Sequence, residues 1–231
     1  MGAYKILIYD GSFEGLMCCI YTIYNQKIQI YRIIKAGETI DELFADTITV
    51  ETNIEQAQRV WSGIKRKSSN ISLVRIELAY LSEIRGEDHT IVRYVQYLLD
   101  SKKNIEENIS HPVVQRLVDV VNMVQREKLN IREKIRFQKL NDDMEYCILE
   151  PTYNILYLLK PYLIQKYPKK KWVIVDIRRN TALYYNQRET QTISLDLPKK
   201  QAKENVFKDE EIVYEHLTRQ FNQFGQRPTI Y

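Results

Sequence analysis

A chain of 231 residues, 44% apolar and 28% charged, is long enough to bury a core, and seven glycines and six prolines are too few for long flexible linkers. Three cysteines, Cys18, Cys19 and Cys147, exclude a disulfide framework and match no zinc spacing. The net charge of +4 is unevenly spread: Ile164 to Lys203 holds ten Lys/Arg and three Asp/Glu, which points to an anionic partner or a solvated basic face.

The first residues form no basic segment followed by an apolar run, and no stretch approaches the roughly 18 apolar residues of a membrane span. A cytoplasmic protein without membrane contact is therefore expected. The sequons at Asn70 and Asn108 carry no weight without a secretory signal. "YKILIYD" reads as a buried strand and "FEGLMCCIYTIYNQK" as the helix after it. "IQIYRII" and "DTITVET" read as two short strands separated by a turn at Gly37. Asn53 is placed to cap "IEQAQRVWSGIKRKSS", whose Ile54, Ala57, Val60, Trp61 and Ile64 share one face. "SLVRIELAYLSEI" and "HTIVRYVQYLLDS" are helical, the second with a stripe of Ile91, Tyr94, Val95 and Leu98.

The polar run "SKKNIEENIS" suggests a boundary, giving parts 1–105 and 106–231. Pro112 suits the first turn of a long helix with Val113, Leu117, Val121 and Val124 inward. "IRFQKLNDDMEYCILEP" reads as a hairpin turning at Asn141, Asp142 and Asp143. "YNILYLLKPYLIQKY" is a helix interrupted near Pro161, and "KWVIVDIRRNTALYYNQRETQTISLDL" gives further strands. "DEEIVYEHLTRQFNQF" is a last helix. Strands, then helices, then hairpin, helix and antiparallel strands make an α+β fold of two closely packed parts.

"YDGSFEGL", "HPVV", "IRFQKL", "EYCILEP" and "KWVIVDIRRNTALYY", in this order, resemble a bacterial family named for DNA metabolism, whose C-terminal part is the DUF4130 domain of unknown function. The resemblance covers most of the chain. It implies a setting beside a radical-SAM protein of DNA modification or repair, and DNA or that protein as partner. The chain departs from the family at Lys128, Glu133 and Lys134, and it ends without the family's Arg/Asn-rich tail.

Several polar groups stand out. "DGSFEG" precedes a helix, but Asp10 and Glu14 place negative charge where a phosphate would sit, and the P-loop Lys is missing. Either Ser12 caps the helix while Glu14 complements its dipole, or Asp10 and Glu14 form a functional corner at a strand end. Asp176 and Arg178 lie two apart, which is either an ion pair at a strand end or an arginine, Arg178 or Arg179, presented to phosphate. Arg136 is read on a strand whose second face is polar. Lys169, Lys170, Lys171 and Tyr184 interleave cations with aromatics, as single-strand binders do, or are a loop and an ordinary strand residue. The three histidines have no metal spacing, and no metal or cofactor is indicated.

Three functions follow. The first is an accessory nucleic-acid-binding protein using Arg136, Lys169 to Lys171, Arg178, Arg179 and Tyr184. The second is an enzyme joining Asp10 and Glu14 to Asp176 and Arg178. The third is a protein-interaction module.

Overall fold

The computed structural model describes residues 5–39, 46–195 and 206–224. They form two compact units, 1–126 and 127–231, dividing between Arg126 and Glu127. The fold is α+β.

The first unit is built on β1 (Lys5–Tyr9), whose Ile6, Leu7 and Tyr9 are buried, as suits a strand covered on both faces. β1 lies between β2 (Ile30–Lys35) and β3 (Asp46–Thr49), and both pairings are parallel. A parallel neighbour needs a crossover, and α1 (Phe13–Gln26) supplies it. Ser12 caps α1, its Oγ accepting from the Gly15 N–H at 2.9 Å. The helix ends where Lys27 turns left-handed (φ 53°) and its N–H meets the Ile23 carbonyl.

Three helices follow: α2 (Ile54–Lys67), α3 (Asn70–Leu81) and α4 (Glu87–Asp100). Asn53 caps α2 through the Gln56 N–H, as its position indicates. The α4 stripe of Ile91, Tyr94, Val95 and Leu98 is buried throughout. The polar run 101–110 is pinned by Glu106, a buried carboxylate that accepts from the backbone and hydroxyl groups of Ser69 and Ser72. Hydrogen bonding on this scale is what makes a buried carboxylate tolerable. α5 (Pro112–Lys134) runs across the division between the units and buries Val114, Leu117, Val120 and Val124. Leu117 and Val124 are buried as the sequence indicates, whereas Val114 and Val120 take the inward places read for their neighbours Val113 and Val121, because adjacent valines give the pattern no preference between them.

The second unit is a five-stranded sheet ordered β4 (Gln138–Lys139), β5 (Met144–Leu149), β6 (Lys171–Asp176), β7 (Thr181–Tyr185) and β8 (Thr190–Ser194). β4–β5, β6–β7 and β7–β8 are antiparallel, whereas β5–β6 is parallel because α6 (Leu156–Lys166) connects them. Pro161 lies inside α6 without ending it. One sheet face, with Val173, Val175 and Ala182, packs with Val213, Leu217 and Phe221 of α7 (Val206–Phe224). The opposite face carries Trp172 and Ile174, both fully buried, and Asp176 by the same alternation. Lys199, Lys200 and Lys203 of the basic segment, and residues 225–231, lie outside the described residues.

Candidate functional site

The β1–α1 corner holds Asp10 in a fixed pose. Its Oδ1 accepts from the Ser12 N–H at 2.9 Å and the Ser12 hydroxyl at 2.6 Å, and its Oδ2 accepts from the Thr52 hydroxyl at 2.8 Å. These hydrogen bonds, Ser12 foremost, hold the carboxyl below the usual carboxylate range. A Cβ on Gly15 would lie 2.3 Å from Asp10 Oδ1, so glycine is what lets the carboxylate sit over the helix start. Tyr80 donates to the Gly11 carbonyl at 2.8 Å, and its ring meets Phe13 edge-on. Glu14 is exposed in the first turn of α1, where its charge favours the helix dipole.

Beside this corner, Lys35 at the end of β2 lies 3.6 Å from Asp88, a carboxylate only 7% exposed. Burial raises the Asp88 pKa, and Lys35 offsets part of the rise. The buried Tyr9 phenol faces Asp88, and burial followed by that carboxylate drives its pKa upward.

The turn after β6 resolves differently from its sequence pattern. Asp176 is fully buried, and its ion partner is Arg179, with Nη1 2.8 Å from Oδ2. Arg178 contributes only its backbone N–H, at 3.0 Å from Oδ1, and its side chain is exposed. The two-residue face rule fails because the strand ends at Asp176 and residues 177–180 form the hairpin loop. Arg179 also donates to the carbonyls of Pro151 and Thr152, while Glu127 accepts from the N–H groups of Thr152 and Tyr153. These bonds tie the ends of β5 and β6 together. Desolvation raises the Asp176 pKa, and the Arg179 contacts oppose it.

The cations named from the sequence do not form one patch. Arg136 precedes β4 rather than lying in it, and its guanidinium caps the end of α5 by donating to the carbonyls of Glu133 and Ile135. Lys170 pairs with Glu145 at 2.6 Å and Lys171 with Asp143 at 3.8 Å. Lys169 leaves its ammonium without an acidic partner among the described residues. Lys169 to Lys171 stand at the start of β6 and Arg178 beyond its end, separated by about 17 Å of strand. Tyr184 is half-buried against Phe221 of α7, with ring centres 5.0 Å apart. Asp10 and Glu14 belong to the first unit, Asp176 and Arg178 to the second.

Tyr162 and Tyr167, aromatic residues of the interleaved run that the sequence shows between Tyr153 and Arg188, gather with Lys128, Arg132 and Lys166 where α6 meets the last turns of α5. The Arg132 guanidinium lies over the Tyr162 ring, 4.7 Å from its centre, and its buried Nε has no hydrogen-bond partner. Lys166 donates to the Tyr162 hydroxyl at 2.8 Å and lies 5.2 Å from the ring centre, so it sits near the ring plane beyond the hydroxyl. The Tyr162 and Tyr167 hydroxyls hold its ammonium above the ordinary lysine range. Burial, then the nearby Arg132 charge, lowers the Lys128 pKa. Lys160 stands over the ring of the exposed Tyr157. The signal was present in the sequence: residues 151–175 hold five lysines, four tyrosines and no Asp or Glu.

Among the described residues, no group of three or more His, Cys, Asp or Glu could hold a metal ion, and no helix is long and apolar enough to cross a membrane. A family model described as a domain of unknown function, DUF4130, matches residues 85–224. No curated protein matches the chain. A solved structure described as the pGpG-specific phosphodiesterase PggH from Vibrio cholrae is similar at 11% identity and a TM-score of 0.40, over 96% of this chain and 99% of that one.

Proposed function

We propose that this chain, a member of the DUF4130 family whose model spans residues 85–224, is an accessory nucleic-acid-binding protein of DNA metabolism. The observation that carries this reading is the run of cations and tyrosines along α6 and into the turn after it, which falls on two sides of the helix, Lys160 with Tyr157 on one and Lys166 with Tyr162 on the other. Among the described residues Lys160, Lys166 and Lys169 have no carboxylate partner, and they alternate along the chain with Tyr157, Tyr162 and Tyr167. Cations without a carboxylate partner suit phosphates, and the exposed Tyr157 ring suits an unpaired base, at roughly 1–3 kcal/mol per stacked base. Arg178, exposed on the β6–β7 loop, is a separate contact, whereas Arg136 and Arg179 act through the fold. The family resemblance supplies the setting: DNA as ligand, or a radical-SAM protein acting on DNA as partner.

Fluorescence anisotropy with labelled single-stranded and duplex DNA tests the reading. Binding is expected at low salt and falls steeply as salt rises. Lys160→Gln, Lys166→Gln and Lys169→Gln each reduce the salt slope by about 0.7 for a single-stranded ligand. No detectable binding to either DNA at low salt overturns the reading. A stable protein complex formed by a chain that binds no DNA replaces it with an interaction module.

A further inference from the structure

The first unit contains a groove of about 380 Å³ between α1, α2 and the end of α4, separate from every group discussed above. Its volume lies within the range of small-molecule sites, roughly 300–1,000 Å³. One wall is aromatic. Tyr21 and Tyr24 lie three residues apart on α1 and so share a face. The Tyr24 hydroxyl donates to Asp100 at 2.9 Å, which fixes its ring before any ligand arrives.

The opposite wall is cationic. Arg59 and Arg66 both line the groove from α2, and neither has a hydrogen bond or carboxylate partner among the described residues. No Asp or Glu lines the groove. Between the two arginines stands Gly63, four residues after one and three before the other, on the same helical face. Glycine is the costliest residue in a helix interior short of proline. Packing does not demand it here, because a Cβ at Gly63 would meet nothing within 4 Å. Its effect is to open the helix surface beneath the two guanidinium groups.

Two unpaired arginines flanking a bare stretch of helix suit an anion held by planar, bidentate donors, and arginine matches phosphate in this way. Tyr24, anchored by Asp100, with Tyr21 beside it on the same helix face, suits a flat ring. Leu99 and Val60 supply an apolar floor that polar sugars or peptides would not need. The geometry points to a nucleoside monophosphate as the ligand, with its phosphate on Arg59 and Arg66 and its base against Tyr21 and Tyr24. This inference is independent of DNA binding by the second unit.

Isothermal titration calorimetry of the full chain with adenosine and guanosine 5′-monophosphate, the parent nucleosides and inorganic phosphate tests it. Saturable binding of a monophosphate is expected, with nucleoside and inorganic phosphate each at least about tenfold weaker. Arg59→Gln with Arg66→Gln should abolish the preference for the monophosphate over the nucleoside. Gly63→Leu should fill the groove and lose binding while the thermal midpoint holds or rises, since leucine is the better helix former. Inorganic phosphate binding as tightly as the monophosphate overturns the proposal, as does no binding of either monophosphate at millimolar concentration. Binding that survives Gly63→Leu in the folded protein also overturns it.

Discussion

Gly15 and Asp10 illustrate how one residue can depend on the absence of another. The Asp10 carboxylate fills the space where a Gly15 side chain would stand, and from there it holds Ser12 and Thr52. Gly15→Ala must push that carboxylate aside, and losing its hydrogen bonds should cost about 1–2 kcal/mol in urea denaturation. With Asp10→Ala already present, the same change should cost much less, because the two sites are coupled. The two arginines after β6 make a sharper contrast. Arg179→Ala leaves the fully buried Asp176 without its counter-charge and should cost about 3–5 kcal/mol. Arg178→Ala removes an exposed side chain and should stay within about 0.5 kcal/mol of the parent. Equal losses from both would contradict the pairing. Composition and spacing name Asp176 and a neighbouring arginine, but which arginine turns inward depends on where the strand stops.

At the scale of the element, α4 packs a readable stripe and an unreadable histidine. Ile91, Tyr94, Val95 and Leu98 repeat at helical spacing, so their burial follows from local sequence. His89 is half-buried with an unpartnered Nδ1, and burial, then Arg93 and Arg32, holds its pKa below 6.5. The native state therefore keeps a neutral imidazole, while the unfolded chain takes up a proton below about pH 6.5. Stability from this group is complete above that pH and is lost as pH falls through the folded pKa. Asp88 has the opposite tendency, since its raised pKa makes protonation favour the fold at lower pH. His89→Gln should thus flatten the fall in thermal midpoint between about pH 7 and pH 5. An unchanged profile would place the titration elsewhere. α6 teaches a related lesson: Pro161 reads as a break, yet the helix continues through it from Leu156 to Lys166. A missing N–H costs helix stability, but burial of Leu156, Leu159 and Leu163 offsets it.

For the whole molecule, the division into two compact units has a chemical readout. Cys18 and Cys19 are buried in the first unit and Cys147 in the second. Burial raises the pKa of Cys19 and Cys147, so neither is a ready thiolate, and all three should react with a thiol reagent only when their unit opens. Labelling under mild denaturant should proceed in two phases, one for the Cys18 and Cys19 pair and one for Cys147. A single phase for all three would mean that the units unfold as one.

Local pattern sufficed for the Ser12 and Asn53 caps and for most strands and helices, because these depend on residues within a few positions of each other, while the order of elements and motifs along the chain gave the α+β class and the DUF4130 resemblance. Tertiary structure alone decided which cations are free. Lys170 and Lys171 look like Lys169 in one basic run, yet each is taken by a carboxylate that the pairing of β5 with β6 brings near, Glu145 and Asp143. Among the described residues Lys166 has no carboxylate partner, and no Asp or Glu lines the groove that Arg59 and Arg66 flank. The physical reason is range: helix and strand signals act along the chain, whereas the partner of a charge is set by what folding brings within about 4 Å of it.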